Sequence, residues 1–263
     1  MKVHINRLPL KRNYVTLKQE FHNELAERLL QVGGSIDGAG KLVGIADTVM
    51  GRIIKKERKR RIRIDFLLNI LNLLGISLEK AESNVIWIGN NQSNGIENPK
   101  LPFTFNSRAS ARFLAAICND GWISGGAYYS NMKQESREFV RKDTISVFGE
   151  NKNTVREWIK EKDRYLAFPS IIRDVLVLIS QFKGVKSENN PPVPAFILNN
   201  PELILGWIEQ TIADEGHVKN YPDEYRREII WRRSFNKSLE VCRLNKDEQK
   251  MLNILGINYD VKK

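Results

Sequence analysis

Apolar positions recur at helical spacing through the first part of the chain. Leu17, Phe21, Leu25, Leu29 and Val32 share one face, and Phe66, Ile70 and Leu74 share another. Between these stripes, Ser35 stands as the N-cap of a short helix whose apolar side carries Leu42 and Val43. Gly44 can take the left-handed conformation that ends it. A second helix is predicted from about Ala46 and Asp47, with Val49, Ile53 and Ile54 inward, and a closing helix over Asp65–Leu74. That order is a helix-turn-helix. Residues 89–102, GNNQSNGIENPKLP, concentrate Asn, Gly, Ser and Pro and read as a linker. Beyond them helical runs alternate with short extended ones. The predicted class is α+β: an all-α helix-turn-helix bundle over 1–88, a linker over 89–102 and a mixed domain over 103–263.

One pattern occurs twice. FLAAICNDGWISGG (113–126) and WIEQTIADEGHV (207–218) each end a helical run in an acid, then glycine, then an extended stretch. Ser107 precedes the first as a helix start, and Asn200 with Pro201 precedes the second. Two such helices packed side by side would bring Asp120 and Glu215 together. Paired carboxylates repel unless a divalent cation sits between them, which implies Mg²⁺ or a similar hard cation and metal-assisted phosphodiester hydrolysis.

Charge narrows the partner. With 42 Lys+Arg against 31 Asp+Glu the net charge is +11, which suits a polyanion. Residues 1–100 are the denser cation, with 17 basic and 10 acidic residues. Duplex DNA is the expected partner and RNA the less favoured one. The second helix of the helix-turn-helix would offer Thr48, Met50, Arg52, Lys55 and Lys56 to the DNA, and the following run adds Arg58, Lys59, Arg60 and Arg61. In NTVREWIKEK (153–162), Arg156, Trp158, Lys160 and Lys162 share one parity, as on a DNA-facing strand, although Val155, Trp158 and Ile159 also fit a helix. Arg232 and Arg233 are adjacent, so only one can face DNA on a strand. Cys118 and Cys242 form no CxxC pair, which argues against structural zinc, and Cys118 reads as core. No apolar run is long enough for a signal or a membrane span, so the expectation is a cytoplasmic protein. Asp214 and His217 read as an exposed acid and a strand residue, Trp122 and Trp207 as packing groups.

Taken as a set, the two acid-glycine helices resemble the motifs of the LAGLIDADG homing endonucleases. AYYSN (127–131) and ESREFVRKDTISVFG (135–149) look like the strand and helix that follow the first motif. IIWRRSFNKSLE (229–240) with KMLNILGI (250–257) looks like their counterparts after the second. The resemblance implies an αββαββα repeat used twice, over about 103–199 and 200–263, with strands forming a saddle on DNA and the motif helices paired at a pseudo-twofold axis. It implies Asp120 and Glu215 as metal ligands and catalytic residues, and Lys186 or Lys183 as the lysine that orients the hydrolytic water. The sequence departs from the pattern where Gln210 replaces a small packing residue, and where the second repeat is too short for its last two strands and helix. Residues 17–83 resemble the lambda-repressor-like helix-turn-helix family, with Ile36 or Asp37 where that family carries Gln. Together these imply a Mg²⁺-dependent, site-specific DNA endonuclease. The alternatives are a non-catalytic transcription regulator on the same fold and an RNA-binding maturase.

Overall fold

The computed structural model describes residues 1–55, 61–90, 95–149, 155–159, 164–180, 191–221, 226–231 and 242–261. The N-terminal part holds β1 (Lys2–Val3), β2 (Asn13–Leu17), α1 (Gln19–Gly33), α2 (Ile36–Val43), α3 (Asp47–Ile54), β3 (Ile62–Arg63), α4 (Ile64–Leu74), α5 (Leu78–Glu82) and β4 (Val85–Asn90). The bounds of α2, α3 and α4 follow the sequence closely. The Ser35 hydroxyl accepts the Gly38 N–H at 3.0 Å, and Gly44 ends α2 at φ 72°. α2 and α3 approach closely because Gly40 has no side chain: a Cβ there would lie 2.7 Å from the Ile45 carbonyl oxygen. On the other side of the pair, α1 reaches α3 through His22, whose Nε2 lies 2.7 Å from the Ile53 carbonyl.

This part is not all-α. β2 lies inside a four-stranded antiparallel sheet of order β3-β2-β4-β5, where β5 (Ile96–Glu97) comes from the stretch read as linker. Leu17, assigned to a helical stripe by spacing, is the last residue of β2 and pairs with Val85. The reason is non-local: β2 and β4 are far apart in sequence, and a short apolar run such as VIWIGN carries no period that separates strand from helix. β6 (Phe103–Thr104), just ahead of the second part, pairs with β1, so the start of the chain is tied to that part.

The rest runs α6 (Arg108–Asp120), β7 (Gly121–Ile123), β8 (Ala127–Ser130), α7 (Gln134–Phe148), β9 (Arg156–Ile159), β10 (Arg164–Phe168) and α8 (Ser170–Ser180). There follow α9 (Ala195–Leu198), α10 (Pro201–Glu215), β11 (Gly216–Tyr221), β12 (Arg226–Trp231) and α11 (Arg243–Ile254). β7 to β10 form one antiparallel sheet of order β7-β8-β10-β9, and β11 and β12 a separate hairpin. The ambiguous segment around Trp158 is thus a strand. One sheet face is core: Ile123, Ala127, Tyr129, Leu166 and Phe168 are buried. Phe113 on α6 packs there edge-on to Phe148 and Phe168, with ring centroids 5.5 and 5.6 Å away. The first helix-strand set has the order α-β-β-α-β-β-α, while among the described residues the second has α-β-β-α.

The two parts are joined by more than the chain. Asp174 on α8 is buried and accepts Arg12 Nε at 3.1 Å and Asn13 Nδ2 at 3.0 Å, which ties α8 to the start of β2. No helix among the described residues is long and apolar enough to cross a membrane.

Candidate nucleic-acid interface

α6 and α10 run in the same direction. Their N-terminal turns meet through Arg108, which reaches Glu202 at 2.7 Å, and their last turns meet through Asn119, which donates to Asp214 at 3.2 Å. Each helix is capped at its start as the sequence predicts. Ser107 and Ser110 exchange side-chain and backbone hydrogen bonds ahead of α6, and Asn200 accepts the Glu202 N–H at 3.0 Å ahead of α10. The backbones come close at Gly206, where a Cβ would lie 2.6 Å from the Arg108 carbonyl oxygen and 3.2 Å from Ala111 Cβ. The small packing residue of the second helix is therefore Gly206, one turn before Gln210.

The acid-glycine endings switch helix to strand with no residue between. Gly121 and Gly216 are extended (φ −100° and −81°), so neither is required for a left-handed turn. Space is what requires them. A Cβ at Gly121 would stand 2.7 Å from the carbonyl oxygens of Ile117 and Tyr128, and one at Gly216 2.4 Å from that of Ile212.

At the joined ends lies a polar cluster. Asp214 accepts Tyr129 Oη–H at 2.7 Å, Gln210 Nε2 at 2.9 Å, Asn119 Nδ2 at 3.2 Å and, at 3.5 Å, Asn131 Nδ2. The same Asn131 amide donates to Asp120 at 3.1 Å. One amide thus bridges an acid from each helix, and the acid it reaches on α10 is Asp214. Asp214 is half-buried and fully engaged, which corrects its reading as an exposed acid. Glu215, expected as the partner of Asp120, is half-buried at the last residue of α10. Burial, with the nearby Asp214 and Asp120 charges, pushes the Tyr129 phenol well above its usual pKa, so it stays a donor.

Two buried acceptors remain in this cluster. Asn119 Oδ1 and Gln210 Oε1 have no hydrogen-bond partner, because both amide N–H₂ groups turn to Asp214. Among the described residues, no three His, Cys, Asp or Glu side chains are arranged to hold a metal ion. The acceptors that these hydrogen bonds bring together are all oxygen: the carboxylates of Asp120 and Asp214 and the two amide carbonyls. Such a set suits Mg²⁺, which takes one or two carboxylates and completes its shell with water and phosphate.

The other face of the β7-β8-β10-β9 sheet is open. Trp122, Tyr128, Ser130, Arg156, Trp158, Tyr165 and Ala167 lie on it, as the pairings Trp122↔Tyr128, Tyr165↔Ser130, Tyr165↔Trp158 and Ala167↔Arg156 require. All are exposed or half-buried. Glu157 turns to the opposite side, where Arg137 and Arg141 on α7 hold it at 2.8 and 3.4 Å. The parity read for Arg156 and Trp158 is thus the observed one.

On α3, Thr48 and Arg52 are exposed, as is Lys55 just after it, but Met50 is not. Met50 is fully buried, its Cβ lying 3.6 Å from where a Gly40 Cβ would stand, so it belongs to the core and not to a DNA-reading face. Arg61 is exposed, with its guanidinium 4.1 Å over the Trp87 ring. Lys56, Arg58, Lys59, Arg60, Lys160, Lys162, Lys183, Lys186, Arg232 and Arg233 lie outside the described residues. His217 is an exposed strand residue, and Cys118 and Trp207 are core, as expected. Trp122 is not core: it is half-buried on the open face.

Sequence reasoning missed Asn131, Tyr129, Asn119 and Gln210 as members of the cluster. The available signal was position: Asn119 and Asp214 each stand one residue before the helix-end acid, on two runs already aligned. No protein-family model matches the chain, and no curated protein matches it.

Proposed function

We propose that the chain is a duplex-DNA-binding protein of the LAGLIDADG type that hydrolyses phosphodiester bonds at the joined ends of α6 and α10. The observation that carries this reading is the meeting of Asp120 and Asp214 on the single amide of Asn131, at two helices that run the same way and end in acid then glycine. Asp120 and Glu215 would hold Mg²⁺, which when bound supplies a water of lowered pKa and stabilises charge on the phosphate. Asn131 fixes the Asp120 carboxylate through its amide. Asp214 gathers donors from α6, β8 and α10 and so keeps the two helix ends in register. Arg156 on the open sheet face, Thr48 and Arg52 on α3 and Lys55 at its end would meet phosphates and position the duplex. Lys186, Lys160, Lys162, Arg232 and Arg233 keep the roles that the resemblance and the strand pattern give them.

A second reading, a non-catalytic DNA-binding regulator, is favoured by Asp214 itself. An acid that accepts four uncharged donors at the helix junction is well suited to hold structure, and the second repeat has only its hairpin and one further helix among the described residues. Incubation of the protein with a randomised plasmid library, with Mg²⁺ and with a chelator, separates the two. Cutting only with Mg²⁺ supports the hydrolase, whereas duplex binding with no cutting of any sequence supports the regulator. Failure to bind duplex DNA at low salt removes both.

A further inference from the structure

The open sheet face carries a row of rings to which the proposed function gives no part. Trp122, Tyr128, Tyr165 and Trp158, one from each strand, form an unbroken row of rings across β7, β8, β10 and β9. Trp122 and Tyr128 stack at 4.7 Å with 17° between planes, and Trp158 and Tyr165 lie nearly parallel (12°) at 6.3 Å. Tyr165 links the pairs, edge-on to Tyr128 at 5.8 Å and to Trp122 at 5.9 Å. At normal strand spacing the row spans roughly 15 Å.

Cross-strand aromatic pairs do stabilise sheets. Yet Trp158 sits on the edge strand with 45% of its surface exposed, more apolar ring than sheet pairing requires. The electrostatics of the face point to an anion. Arg156 stands beside the row, no acid is among the described residues of this face, and Glu157 is held on the far side by Arg137 and Arg141. An exposed aromatic row with a cation and no acid is the composition that takes bases and phosphates together. Duplex DNA hides its base faces in the stack and offers only edges and phosphates. Unpaired bases offer their faces, and a four-stranded sheet with exposed rings can stack two or three of them.

We infer that this face binds single-stranded DNA, with unpaired bases stacked on Trp122, Tyr165 and Trp158 and phosphates met by Arg156. Only the choice of DNA rests on the proposed function; the stacking rests on the rings. A strand would cross the sheet from β7 to β9, so the protein would hold a locally opened segment as well as a duplex.

The test uses the full chain, oligo-dT, oligo-U of the same length and a duplex, at one salt concentration, with anisotropy of the labelled nucleic acid and intrinsic tryptophan fluorescence. Oligo-dT is expected to bind and quench tryptophan emission. Trp158→Ala should weaken oligo-dT binding about tenfold, Trp158→Phe should restore most of it, and duplex affinity should move by less than about twofold, since the ring meets no base edge or phosphate. Oligo-dT binding that Trp158→Ala and Tyr165→Ala leave unchanged would overturn the inference. So would equal weakening of oligo-dT and duplex binding, and tighter binding of oligo-U would overturn the choice of DNA. Oligo-dT binding without any duplex binding would uphold the inference and defeat the proposed function instead.

Discussion

Asp214 accepts hydrogen bonds from four side chains and returns none. Its removal strands the Tyr129 hydroxyl and two amides in a buried setting, each loss costing about 1–3 kcal/mol. Asp214→Ala is therefore expected to lower unfolding free energy by about 3 kcal/mol in urea denaturation, while Glu215→Ala stays within about 1 kcal/mol. Equal, small effects would mean that Asp214 is the exposed acid the sequence suggested. Tyr129 carries a pH signature. Its folded pKa is raised above the ordinary 10.0, so its contribution to stability is complete below that value and falls as pH rises above it, where only the unfolded chain loses the proton. Denaturation at about pH 8 and about pH 11 should show a smaller alkaline loss in Tyr129→Phe than in the wild type; an equal loss would contradict this. The acids themselves were legible, because an acid and a glycine at the end of an apolar run stand out twice. Their partners were not, since Asn131 reaches Asp120 and Asp214 only through the β7-β8 hairpin. Met50 failed for a different reason: 50, 53 and 54 fit one helix stripe as well as 49, 53 and 54, and only the close approach at Gly40 decides between them.

For the elements, the helix-to-strand switch explains the repeated glycine. Gly121→Ala would press a methyl onto backbone oxygens of both the preceding helix and β8, none of which can rotate away. A cost of about 1–3 kcal/mol is expected, read as a fall in melting temperature; no change would show that the junction is loose. Gly206→Ala should act likewise by forcing α10 from α6 at Arg108, and should also perturb the cluster beyond it. The helices were legible from period and caps. The N-terminal sheet was not, because β2, β3 and β4 are short and find each other across the intervening helices α1 to α5. Nor could spacing tell that the small interface residue had moved one turn, from Gln210 to Gly206.

For the whole molecule, the charge of +11 predicts that duplex affinity falls steeply with salt, about one power of salt concentration per phosphate neutralised. Of the cations expected to meet DNA, those described and exposed are Arg52, Lys55, Arg61 and Arg156, in two regions joined by Asp174 and by the β1–β6 pair. The central claim is that the paired helix ends perform metal-dependent strand cleavage. Its most direct test is to compare the wild type with Asp120→Asn for binding and for Mg²⁺-dependent cutting of the same DNA, the substitution leaving the carboxylate's shape but not its charge. The account predicts that duplex affinity stays within about twofold, since no phosphate contact is removed, while cutting is lost. Unchanged cutting by Asp120→Asn, or no Mg²⁺-dependent cutting by the wild type, would contradict it.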